Sequence, residues 1–214
     1  VYGVQPRFIV ALWGIESDFG ENMGGFYIPE ALATLAYDGR RSDFFRKELI
    51  LALRILDEKH IDIKRMKGSW AGAMGQSQFM PSSFLSYAVD YNQDGHKDIW
   101  QTRSDVFASI ANYLKHTEWD KERTWGRRVK LPKNFDIELA DTKISKPITE
   151  WQKLGIRKED GGDLPVTRLD ASVVLPDNNP KHAYLVYDNY RRILKWNRSL
   201  YFATAVGYLS DTLR

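Results

Sequence analysis

The chain has 214 residues, 43% of them hydrophobic and 28% charged, with a formal net charge of +3. Those values suit one globular domain, or a domain with a sub-lobe, and the mild charge holds no basic stripe of the nucleic-acid kind. Zero cysteine excludes both a disulfide framework and a thiolate metal site. No run is long enough to span a bilayer, and no signal peptide is present. The chain opens directly on Val-Tyr-Gly-Val, which reads as a mature or trimmed fragment with any export signal or lipid anchor upstream. Aromatic residues make up 13% of the chain; most are expected in the core, and exposed ones are suited to stacking on sugar rings.

The stretch Gln5-Pro-Arg-Phe-Ile-Val-Ala-Leu-Trp-Gly-Ile-Glu-Ser-Asp-Phe-Gly20 predicts a helix. Pro6 can start it, because its missing N–H falls among donors without helical partners. Phe8, Ile9, Leu12 and Ile15 recur at helical spacing, and Gly20 supplies a stop. Glu16 follows Ile9 by seven residues, Leu12 by four and Trp13 by three, so it shares the apolar face. Partial desolvation there favours the protonated carboxyl, the form a general acid needs. A solvated or salt-bridged surface Glu is the structural alternative.

A glycine-bearing loop follows, and then Pro29 predicts a short helix through Ala31, Leu32, Leu35 and Ala36. The Asp38–Arg41 turn carries Arg40 and Arg41, and Ser42 is placed to cap the next helix. That helix has a stripe of Phe45, Leu49, Ala52, Leu53 and Leu56, reaching to about His60. The segment from Lys67 to Phe84 mixes glycines with Trp70, Met74, Gln76, Gln78, Phe79 and Met80. It is too glycine-rich for a simple helix and too apolar for a surface loop. Such a segment packs closely and offers backbone groups to a ligand. A further helix is expected from Pro81 or Ser82.

The loop Asp90-Tyr-Asn92-Gln-Asp94-Gly95-His96-Lys-Asp98-Ile-Trp-Gln101 puts oxygen side chains at positions 1, 3 and 5 and glycine at 6, as in an EF-hand. Gln101 stands where that pattern has a bidentate Glu, so Asp98 or Asp105 is needed to complete a calcium site. A metal-free loop rich in Asx turns is the alternative. Ser104 and Asp105 then open a helix through Phe107, Ile110, Ala111 and Leu114. Residues 126–187 are more polar and β-branched, with strands expected at Arg127–Leu131, Val166–Leu175 and Tyr184–Tyr187 and a short helix at Thr149–Leu154. Helical pattern returns in Tyr187–Trp196 and Leu200–Leu213. The expected fold is α+β and mainly α: a helical core over 1–125, an inserted β-rich lobe over 126–187, and C-terminal helices over 188–214 that complete the core.

In this order, Trp-Gly-Ile-Glu-Ser-Asp-Phe-Gly (13–20), Ala-Thr-Leu-Ala-Tyr (33–37), Arg40-Arg41, the 68–83 segment, the Asp90–Trp100 loop, Ala-Asn-Tyr (111–113) and Asn-Arg-Ser (197–199) form a specific set. The chain resembles the membrane-bound lytic murein transglycosylase B family from end to end. The resemblance implies a lysozyme-like core that cleaves peptidoglycan glycan strands, with Glu16 as the one catalytic acid and base. It places Ser69, Gln78, Phe79 and Tyr113 along the sugar cleft, with Arg40, Arg41 and Asn197 near it. It carries a structural calcium site onto Asp90, Asn92, Asp94, the carbonyl of His96 and Asp105, with no organic cofactor. Phe202 departs from a frequent Tyr, and the family's N-terminal helices are absent from this sequence. A monomer is implied, in the periplasm, held at the outer membrane if a lipid signal precedes this segment.

Most glycosidases use two carboxylates. Asp18 is the tempting partner of Glu16, but residues i and i+2 of a helix point to different faces. One carboxylate suffices if the substrate's acetamido oxygen supports the anomeric carbon and its own C6 hydroxyl attacks. Rival readings are a hydrolytic muramidase using the same Glu16 and a non-catalytic peptidoglycan-binding module. A calcium sensor is disfavoured, since one loop is present and its position 12 is Gln101.

Overall fold

The computed structural model describes residues 1–213. The chain divides into two compact units, Val1–His116 and Thr117–Arg214.

The first unit is helical, with α1 (Pro6–Ser17), α2 (Ile28–Tyr37), α3 (Ser42–Asp57), α4 (Pro81–Tyr87) and α5 (Arg103–His116). A two-stranded ribbon, β1 (Phe26–Tyr27) against β2 (Lys67–Gly68), accompanies them. Pro6, Pro29 and Pro81 each lie in the first two positions of a helix, where no amide donor is lost. Phe8, Leu12, Ile28, Leu32, Met74 and Phe84 are fully buried.

Three expectations for this unit are corrected. Helix α1 stops at Ser17, three residues before Gly20, because Asp18, Phe19 and Gly20 all take left-handed backbone conformations (φ 49°, 57° and 91°). Ser42 is no cap: Arg41 holds that position at φ 61°, and the Ser42 hydroxyl donates to the Ala36 carbonyl at 2.6 Å, tying the end of α2 to α3. The buried stripe of α3 runs Phe45, Glu48, Ala52, Ile55, while Leu53 is 50% exposed. Glu48, buried within that stripe, accepts the Ser82 amide at 2.9 Å and so caps the start of α4.

The second unit holds a five-stranded antiparallel sheet in the order β4 (Lys146–Pro147), β6 (Asp170–Val174), β7 (Ala183–Val186), β3 (Gly126–Lys130), β5 (Arg157–Lys158). Residues 166–169 lie outside β6, and the two edge strands are too short to show an alternating pattern. Helix α6 (Ile148–Lys153) buries Trp151, whose indole donates to the Ala171 carbonyl at 2.9 Å. Around it gather Val129, Ile148, Ile156, Val173 and Leu185.

Helices α7 (Asp188–Trp196) and α8 (Leu200–Thr212) pack together. The Tyr190 hydroxyl reaches the Leu200 carbonyl at 3.0 Å, and burial pushes this phenol up to about 12. Trp125 anchors α8: its indole donates to Asp211 at 3.0 Å, and its ring lies so close to Gly207 that an added Cβ would meet it at 2.2 Å. That approach needs the missing side chain. Gly207→Ala is expected to destabilise the second unit by about 2 kcal/mol or more, the usual cost of overpacking, read from chemical denaturation followed by tryptophan fluorescence.

Candidate active site

Glu16 is the penultimate residue of α1 and is half-buried. Its surroundings are fixed through its neighbours. The Ser17 hydroxyl, fully buried, donates to the Gln76 carbonyl at 2.7 Å. One turn back, the Trp13 indole donates to Gln76 Oε1 at 2.8 Å. The Gln76 side-chain amide donates to the Trp100 carbonyl at 2.7 Å, and its backbone amide to Ile99 at 2.8 Å. One buried side chain therefore joins α1, the glycine segment and the end of the Asp90–Gln101 loop. Trp13 is further held edge-on by Phe19 and Phe107, with ring centroids 5.4 and 5.0 Å away.

The glycine segment is a strap of close backbone contacts. Its middle is a hairpin closed by reciprocal hydrogen bonds between Met74 and Phe79. At Gly68 an added Cβ would fall 2.0 Å from the Ala73 carbonyl oxygen, and at Gly75 2.6 Å from that of Ile99. These glycines are required by packing, as the composition of the segment suggested.

Ser69 and Gln78 lie in this strap, both half-buried. The Ser69 hydroxyl accepts the Ala73 amide at 3.0 Å, which leaves its proton to donate. Gln78 adopts φ 49° and spends its side-chain amide on the Met23 and Gly75 carbonyls, at 3.0 and 2.8 Å. It pins the loop after α1 to the strap, with Oε1 as its remaining polar atom. Phe79 is 2% exposed and packs against Tyr113 with ring centroids 5.9 Å apart, so it supports that ring and offers no open stacking face. Burial, with the nearby Tyr87, raises the Tyr113 phenol to about 12, so it remains a neutral donor throughout the physiological range.

Arg40 and Arg41 are exposed in the turn between α2 and α3. The Arg41 guanidinium lies 4.3 Å from the Phe44 ring centre. Asn197 belongs to the second unit, ends α7, and accepts the Ser199 amide with its side chain. Asp18 is exposed in its left-handed position. Sequence reasoning names Gln76 in the glycine segment without giving it a role, although a long amide among small and apolar residues is the available signal. It gives none to Trp70 either, which is 64% exposed beside Ser69.

In the Asp90–Gln101 loop the acids hold the loop's own backbone. Asp90 accepts the Asp94 and Gly95 amides, and Asp94 accepts that of His96. Asp98 accepts the Trp100 and Gln101 amides. Asp105, fully buried, accepts those of Tyr91 and Asp98, both at 3.0 Å, and so clasps the loop at its base. Asn92 donates to Asp94, and the His96 ring bonds the Lys59 carbonyl at 2.9 Å. The donors are hard oxygens, the chemistry calcium takes. Among the described residues, no three or more His, Cys, Asp or Glu side chains already converge on a metal position.

A mainly helical α+β chain with a half-buried acid at the end of α1 and a glycine strap beside it falls in the lysozyme-like class, as its match to solved structures shows. More narrowly, the chain belongs to the transglycosylase SLT domain family, whose model matches residues 1–211. It is 34% identical to membrane-bound lytic murein transglycosylase B of Escherichia coli (strain K12), over all of this chain and 58% of that protein. It is similar to a crystal structure of SltB3 from Pseudomonas aeruginosa in complex with NAG-anhNAM-pentapeptide: 46% identity, TM-score 0.94, 99% of this chain and 57% of that one. It also resembles Escherichia coli Slt35 in complex with calcium: 33% identity, TM-score 0.85, 99% of this chain and 66% of that one. The chain thus spans a little over half the length of the curated relative it matches.

The Gln76 junction can be tested without touching Glu16. In Gln76→Met the volume is kept but the Trp13 indole and the Trp100 carbonyl lose their partners. The expected cost is about 2–4 kcal/mol, measured by urea denaturation; a change under about 0.5 kcal/mol, the range of neutral surface substitutions, would refute the junction's importance.

Proposed function

We propose that this chain is a lytic transglycosylase that cleaves the β-1,4 bond between N-acetylmuramic acid and N-acetylglucosamine in peptidoglycan and leaves 1,6-anhydromuramic ends. The observation that carries this reading is the half-buried Glu16, one residue from the Ser17–Gln76 anchor, in a chain of the transglycosylase family. The substrate class is taken from SltB3, which has been crystallised with NAG-anhNAM-pentapeptide and with NAG-NAM-pentapeptide.

In the proposed reaction, neutral Glu16 gives its proton to the glycosidic oxygen and the leaving sugar departs. The substrate's 2-acetamido oxygen bonds to the anomeric carbon and holds the developing positive charge. The Glu16 carboxylate then takes the proton of the C6 hydroxyl, whose oxygen attacks the anomeric carbon and breaks its bond to the acetamido oxygen, restoring the neutral amide on C2. Glu16 ends protonated and no water is consumed. The intramolecular attack benefits from a high effective molarity. Ser69, the Gln78 carbonyl oxygen and the Tyr113 hydroxyl are assigned to holding sugars, with Phe79 behind Tyr113. Arg40 and Arg41 are assigned to the border of that cleft, and Asn197 is assigned a substrate contact of its own on the second unit. A peptidoglycan substrate supports a periplasmic location.

Digestion of purified sacculi tests the reading. Wild-type protein is expected to release anhydro-ended fragments, and Glu16→Gln to release them at least about a hundredfold more slowly, by mass spectrometry. Reducing ends, heavier by one water, would make the protein a hydrolytic muramidase instead; retained activity in the variant would remove Glu16 from the mechanism.

We assign calcium to the loop as a structural ion, held by Asp90, Asn92, Asp94, the His96 carbonyl and Asp105. Supporting this are the all-oxygen donors, the buried Asp105 and the calcium complex of Slt35. Chelator-treated protein is expected to melt about 5–10 °C lower than protein holding calcium at a hundredfold excess over Kd. Scanning calorimetry measures this, and equal midpoints would refute the assignment.

A further inference from the structure

Helix α8 carries two tyrosines, Tyr201 and Tyr208, that are 63% and 64% exposed. Seven residues are close to two full helical turns, so both rings stand on one face, about 10 Å apart along the axis. That face walls a cavity of 410 Å³ whose other side is formed by Pro176, Asp177 and His182. A second cavity of 890 Å³ shares Arg128, Tyr184 and Tyr208 with the first, so the two adjoin along α8. Trp125, bonded to Asp211 and pressed against Gly207, makes the floor rigid.

The charges select the ligand class. Arg128 pairs with Glu159 at 3.1 Å, Lys158 with Asp160 at 4.0 Å, and His182 with Asp177. A site for nucleic acid or anionic lipid keeps its cations for phosphate. Here Arg128, Lys158 and His182 are each matched by a carboxylate within the groove itself, and Arg127 donates to the Tyr187 hydroxyl at 2.8 Å. Aromatic faces and matched polar groups suit an uncharged ligand rich in hydroxyls and amides, since tyrosine offers an apolar ring with a polar tip. The spacing of the tyrosines is close to one disaccharide repeat of an extended β-1,4 glycan, which lets the two rings stack on alternate sugars.

We propose that the α8 groove is an accessory binding site for an extended β-1,4-linked N-acetylated glycan, holding the strand without taking part in its cleavage. The choice of glycan rests on the peptidoglycan reading above. Such a site favours long strands over short fragments, because a strand held at two places dissociates more slowly.

The test is titration of isotope-labelled protein with the β-1,4 tetramer of N-acetylglucosamine, followed by amide chemical shifts. Shifts are expected in α8 and β3. Tyr201→Ala with Tyr208→Ala should weaken this binding at least about tenfold, whereas Tyr201→Phe with Tyr208→Phe should retain it. Both side chains are exposed, and an unchanged melting midpoint verifies the fold. The double alanine variant should also release fragments from sacculi more slowly while cleaving a short soluble glycan at the wild-type rate. Absence of shifts in α8, or equal affinity in the alanine variant, would overturn the proposal. Wild-type digestion of sacculi reports separately: tetramer shifts in α8 alongside a wild type that releases no anhydro ends would keep the groove and refute the transglycosylase reading alone.

Discussion

Everything near Glu16 depends on the buried amide of Gln76. Its side chain accepts from the Trp13 indole and donates to the Trp100 carbonyl, while its backbone binds Ile99 and Ser17. A group inserted there needs one donor, one acceptor and the reach of three side-chain carbons, and glutamine supplies all three without a charge. Each of these bonds is worth modest net stability, but each partner is a buried polar group that is costly to leave unpaired. The amide also crowds Gly20, where a Cβ would lie 2.5 Å from Gln76 Oε1. The left-handed exit of α1 and the position of Gln76 thus specify one another. Glu16 sits on the last helical turn before that exit and inherits its rigidity.

The glycine strap works in the same way at the level of the backbone. Gly24, Gly68 and Gly75 each place a main chain where a methyl group would strike a carbonyl. Close approach of this kind lets the Ser69 hydroxyl and the Gln78 amide be fixed by main-chain partners. Two side chains are oriented in this way, which on the proposed reading lowers the ordering cost of binding.

The sequence exposed what periodicity and backbone chemistry control. Helices α1, α2, α5, α7 and α8 follow from apolar spacing, and three starts follow from proline. The strap was legible as a close-packed segment because glycine has a narrow set of uses. What stayed hidden depends on partners distant in the chain. Ser42 has the composition of a cap, yet Ala36 offered its hydroxyl a better bond. Glu48 interrupts an apolar stripe because it has the start of α4 to satisfy. Strands β4 and β5 have two residues each and exist through pairing with longer neighbours, which local pattern does not report. The burial of Phe79 likewise depends on a hairpin closure with Met74.

The acids of the first unit divide their labour by burial. Glu48 and Asp105 are almost wholly buried, and both turn their oxygens to backbone amides: Glu48 at the start of α4, Asp105 across the base of the Asp90–Gln101 loop. A carboxylate engaged in that way cannot pass a proton to a ligand without releasing the segment it holds. Asp18 lies at the opposite extreme, exposed and off the helix face. A general acid needs an intermediate setting, dry enough to favour its neutral form and open enough to meet a substrate. Glu16 is half-buried, between these extremes, on a helix that ends one residue later at the Ser17–Gln76 anchor, and that position is what supports the proposed role.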